Sequence, residues 1–185
     1  MSKSEEDGGS ALCFVTVLEA GDLGFVGGLL MLNALGRPLE FHCTAPVKPS
    51  RAHEILYGNT LRPHLFGERL SQALLDKSAL IPALIVTDLS DVMTVKPHEQ
   101  STLVQLVSGE LESHGALDPN SVALERHVPW RIVGETREDA VRAHDLIAGC
   151  AGIIPWEPFD RIREALGEAA KTARPTTNVR SSEAA

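Results

Sequence analysis

Apolar residues crowd the stretch from Ala11 to Cys43 in three runs separated by turn-forming residues. Ala11 to Glu19 is rich in Val, Phe, Cys and Leu, the composition of a buried strand. Gly21-Asp22 supplies a turn, and Leu23 to Asn33 forms a second apolar run. Its glycines, Gly24, Gly27 and Gly28, point to a bulge or to close approach of another segment. Beyond Pro38, the residues Leu39, Phe41 and Cys43 alternate with Glu40, His42 and Thr44. A period of two marks a half-buried third strand. The three runs together predict an antiparallel meander.

The period then changes. Ser50 can cap a short helix over Arg51–Tyr57, which Gly58 closes, and Asn59 or Thr60 can start a longer one reaching Lys77. Leu61, Leu65, Leu70 and Leu74 share one face of that helix. Ala83–Val86 is a short apolar strand ending at Thr87-Asp88. Glu99–Ser113 fits a helix with Leu103, Leu106, Val107 and Leu111 inward, and Trp130–Gly134 a fifth strand. Thr136, with Asp139 three residues on, approximates a capping box for a helix to Ala148. Glu157-Pro158 opens a last helix with Phe159, Ile162, Leu166 and Ala169 on one stripe and Arg161, Arg163, Glu164 and Glu168 outside. The expected class is α/β: a three-stranded antiparallel meander, then alternating helices and strands in a mixed five-stranded sheet, closed by an amphipathic helix. Residues 1–10 read as a disordered leader, 11–171 as a single domain and 172–185 as a disordered tail.

Composition narrows the function. The 185 residues carry a formal charge of −8 and only 4% aromatics. Acidic balance disfavours nucleic acid and anionic membranes as partners, which need basic surface. No apolar run approaches the roughly 20 residues of a membrane span. Cys13, Cys43 and Cys150 form no CxxC and no even set, so free thiols in a reducing, cytoplasmic setting are expected.

The element order resembles that of the ribonuclease H-like superfold, over roughly residues 11–150. Enzymes of that superfold place a carboxylate on the first strand, another on or near the first helix, a third at the end of the fourth strand and often a fourth on the last helix. Two divalent ions bridge them during phosphodiester attack. Here Asp88 ends the fourth strand as the resemblance implies, with Asp91 one turn later. The first strand has no interior acid, only Glu19 at its end and Asp22 in the turn, which departs from the pattern. Glu54 and Glu68 fall in the first helical region, and Asp139, His144 and Asp145 on a later helix. On this reading Mg²⁺ or Mn²⁺ would be the cofactor and Asp88, Glu19, Asp22, Asp139 and Asp145 the acids.

Two other surfaces compete. Glu40, His42 and Thr44 share one face of the third strand and are candidates for a small-molecule pocket, while Cys43 shares the opposite face with Leu39 and Phe41 and is expected to be a buried thiol. Ile153, Ile154 and Trp156 lie in an apolar connection between helices and are candidates for a protein-docking patch. Gly21–Gly28 lacks GxxxxGK[ST] and opens no helix, so it is no phosphate loop. The seven histidines show no HxH or HxxxH spacing, and no resident metal is expected outside the nuclease reading. The sequence therefore favours a non-catalytic accessory or protein-interaction domain without cofactor, self-associating or bound to a protein partner. A metal-dependent nuclease or phosphotransfer enzyme stands as the alternative, and a small-molecule-binding domain after it.

Overall fold

The computed structural model describes residues 11–108, 118–127 and 129–172. The expected leader, residues 173–185 of the expected tail and the Leu111 end of the expected helix lie outside them. Among the described residues, seven strands form one sheet in the order β3-β2-β1-β4-β5-β7-β6. β1 (Leu12–Glu19), β2 (Phe25–Leu32) and β3 (Pro38–Cys43) are the antiparallel meander. β4 (Leu84–Thr87) runs parallel to β1, and β5 (Thr102–Ser108) parallel to β4. β7 (Trp130–Gly134) and β6 (Ser121–Ala123) complete the sheet with antiparallel pairings.

Period-two alternation divides β1 between two cores. Leu12, Phe14 and Leu18 face α4 (Arg137–Ala148) and α5 (Glu157–Thr172), packing with Ala140, Ala143, Phe159, Ile162 and Leu166. Cys13, Val15 and Val17 face the other way, onto Leu65, Phe66, Leu70 and Leu74. Those residues belong to a helical run that follows α1 (Arg51–Tyr57). It comprises α2 (Leu61–Pro63), a wide π-helical stretch His64–Ser71 and α3 (Gln72–Lys77). Thr136 and Asp139 make the expected capping box of α4 reciprocally.

Four sequence expectations change. The segment expected as a helix over Glu99–Ser113 holds strand β5, and the sheet has seven strands instead of five. Thr102, Val104 and Leu106 are buried at period two between β4 and β7, which supply the ladder partners that a helix would forgo. Cys43 is exposed, with Leu39 and Phe41 half open beside it, because β3 is an edge strand and α5 packs chiefly on β1 and β2. Ala169 is likewise exposed, one turn past the last buried residue of the α5 stripe. No helix among the described residues is long and apolar enough to cross a membrane.

Candidate functional site

In an open sheet with parallel strands, ligands approach the carboxyl ends of the strands. β1 and β4 are parallel neighbours, with Val15 opposite Thr87 as their last paired residues. Thr16, still on β1, and Asp88, the first residue past β4, come one step later; Thr16 alternates onto the face of Phe14, and Asp88 reaches Arg163 of α5. Thr16 is 1% exposed, and its hydroxyl has no hydrogen-bond partner. Asp88 pairs through Oδ2 with Nη2 of Arg163 on α5, while its buried Oδ1 has no partner. Nη1 of the same guanidinium donates to Oδ1 of Asp160 at 3.1 Å. One arginine thus bridges the acid at the end of β4 and an acid on the last helix.

Two further cations meet the segments that follow β1 and β4. Arg62 Nε donates to Asp91 Oδ2 at 2.9 Å. Lys48 Nζ donates to the Asp22 carbonyl oxygen at 3.2 Å. Lys48, Arg62 and Arg163 come from three separate segments, and each contacts a residue that follows β1 or β4.

The other carboxylates named from the sequence do not join Asp88. Glu19 and Asp22 are exposed at the end of β1 and in its turn. Asp139 is spent on the amide and hydroxyl of Thr136. Asp145 is exposed on α4 and meets His144 Nδ1 at 3.2 Å. Glu54 pairs with Arg51 and Glu68 with His64. Among the described residues no three His, Cys, Asp or Glu side chains stand close enough to hold a metal ion. Hard divalent cations need several carboxylate or carbonyl oxygens at once. The described residues do not fit the two-ion centre that the resemblance implies: Thr16 is uncharged, and Asp88 is already paired with Arg163.

Glu40, His42 and Thr44 form a structural joint. Glu40 Oε2 accepts from the Ser78 hydroxyl at 2.7 Å and the Ala79 amide at 3.3 Å, and His42 Nε2 lies 3.0 Å from it. Burial works against ionisation of Glu40, but the hydrogen bonds from Ser78, His42 and Ala79, with the His42 charge, outweigh it and hold the carboxyl below its ordinary value. Thr44 Oγ1 accepts from the Gly27 amide at 3.0 Å. β3 is thereby tied to β2 and to the end of α3.

The expected docking patch is mostly turned inward. Ile153 is 5% exposed, and Trp156 stacks on Trp130 with ring centroids 5.3 Å apart. His127 packs edge-on against Trp156, which leaves only Ile154 open.

No protein-family model and no curated protein matches this chain. Solved structures do. Human endonuclease V superposes with a TM-score of 0.51 at 15% identity, over 89% of this chain and 86% of the other. The fold is ribonuclease H-like. A second structure, the catalytic domain of human endonuclease V, matches at a TM-score of 0.52 and 15% identity, over 89% and 85% of the two chains. Endonuclease V of Ciona intestinalis, in complex with DNA containing an inosine followed by a ribo-adenosine, matches at 0.50 and 11%, over 89% and 87%. These likenesses correct the expectation of a non-catalytic protein-interaction domain that shuns nucleic acid. The three structures just named are of endonuclease V, one of them bound to DNA, and the apolar segment offered as a protein patch packs largely into its own core.

Proposed function

We propose that the protein acts on nucleic acid, and that it receives it at the end of the sheet where β1 and β4 finish. The observation that carries this reading is the likeness to endonuclease V, which spans nearly the whole of both chains. Lys48, Arg62 and Arg163 each contact a residue that follows β1 or β4, which puts cations at that end of the sheet, as binding of a phosphate backbone requires even on an acidic protein. On this reading Asp88, the residue after β4, corresponds to one acid of the superfold's set. The described residues supply no ligand set for a two-ion hydrolysis, so the reading rests on recognition of the polynucleotide. Its setting is the cytoplasm, in keeping with three free thiols.

Fluorescence polarisation with labelled single-stranded, duplex and inosine-containing DNA tests the reading, alongside a cleavage screen with and without Mn²⁺. Binding tighter than about 10⁻⁴ M at physiological salt is expected, weakening as salt rises. The double substitution Lys48→Ala/Arg62→Ala is expected to weaken it and to flatten the salt dependence. Absence of binding to all three DNAs at low salt refutes the reading.

A further inference from the structure

We propose that Arg163 is the built-in cation of the strand-end site, standing between Asp88 and Asp160 where a ribonuclease H-like nuclease would hold a divalent ion. Three observations place it there. The guanidinium bridges an acid at the end of β4 and an acid on the last helix, the two kinds of position whose carboxylates the superfold joins through metal. Thr16, one residue past the last β1–β4 pair as Asp88 is, brings no charge. Its orphaned hydroxyl and the orphaned Asp88 Oδ1 both belong to this corner, so the site holds polar capacity that no protein group satisfies.

Charge explains why one arginine suffices. Asp160 is 70% exposed and keeps its hydration, so the charge to be matched inside the corner is that of Asp88, which Arg163 meets one for one, and Thr16 adds none. A guanidinium is always protonated and offers a planar fork suited to bridging two carboxylates. With an aspartate in place of Thr16 a further negative charge would enter a buried corner, and a single monovalent group could not balance it. Threonine on β1 and arginine on α5 are therefore one compensating pair of features. The side chain of Arg163 is still 40% exposed, so its free face can meet a phosphodiester oxygen. That last step rests on the nucleic-acid reading above; the cation role does not.

Manganese uptake followed by electron paramagnetic resonance tests the cation role directly. The wild-type protein is expected to take up no Mn²⁺ that Asp88→Asn removes. Arg163→Ser frees both carboxylates and is expected to raise uptake above wild type, and Thr16→Asp/Arg163→Ser to raise it further, in each case reversed by adding Asp88→Asn. Circular dichroism checks that each variant is folded, and the single substitution of a part-exposed arginine decides the matter if the double variant does not fold. Asp88-dependent uptake by the wild type, or a folded Arg163→Ser with wild-type uptake, overturns the proposal. DNA binding is read separately. It is expected to be equal in EDTA and in Mn²⁺, and to weaken about tenfold in Arg163→Ser, the loss of one charge-assisted contact. A wild-type protein that binds no DNA removes the functional reading and leaves the manganese result to judge Arg163.

Discussion

Gly28→Ala places a methyl group where the side chains of α5 already stand. A Cβ built at Gly28 lies 2.5 Å from Ile162 Cγ2 and 2.9 Å from Leu166 Cδ1, both on buried residues. Neither neighbour can rotate away into solvent, so the helix must lift or its side chains must leave their rotamers. Overpacking of this kind costs about 1–3 kcal/mol. For a chain of this size each kcal/mol lowers the melting temperature by about 2–4 °C, so a fall of about 2–12 °C is expected. Gly167→Ala is the control on the same helix: a Cβ there meets nothing within 4 Å. Alanine is the better helix former by about 0.5–1 kcal/mol, so this variant is expected to be more stable than wild type. Thermal and urea unfolding followed by circular dichroism read both. If Gly28→Ala unfolds within about 0.5 kcal/mol of wild type, the range of an ordinary surface change, then α5 does not rest on β2 as described. Arg163 would then have no fixed perch.

Glu40 makes stability depend on acid pH. Its carboxyl sits below its ordinary value of 4.5 in the fold, so its contribution is complete above that value and is lost as pH falls through the lower, folded one. Urea midpoints of wild type and Glu40→Gln are expected to differ at neutral pH and to converge in acid; a gap that stays constant with pH contradicts the joint drawn around Ser78. The cysteines should label in order of burial. Cys43 is exposed and is expected to react first with a disulfide reagent, and Cys150 more slowly, its thiol pushed up by burial. Cys13 should react only on unfolding, because burial, with the Glu40 charge adding, holds its thiol far from ionisation. Labelling of Cys13 at the rate of Cys43 in the native protein would show that the packing between sheet and helices is open.

The meander was legible because its signal is local. Alternation around Glu40 and His42, and glycines where α5 and the π-helical stretch come close to β2, both survive in the fold. β5 was not legible, because Leu103, Leu106 and Val107 satisfy a helical spacing as well as a strand, and only the neighbours β4 and β7 decide between them. β6 is three residues long, too short to show any period. At the candidate site, Asp88 could be picked out as the acid ending a strand. Arg163 could not: it reads as the outer face of an amphipathic helix, and its partner lies 75 residues earlier. Thr16 did leave a trace. It is the one polar residue on the inward face of β1, among Leu12, Phe14 and Leu18, and an unpaired polar group in such company is a reason to look for a site.

The bridge between β4 and α5 also sets an order of assembly. On the ribosome, β1 to β4 emerge well before α5, so the sheet can form its parallel β1–β4 pair while Asp88 still lacks its counter-charge. Until α5 docks, only water can balance the carboxylate. Docking of α5 then does two things in one event: Phe159, Ile162 and Leu166 seal one face of the sheet, and Arg163 neutralises the acid at its end. Completion of the apolar core and completion of the charged corner are thus the same step, and a nascent chain cannot present the finished site before its last described helix has been made.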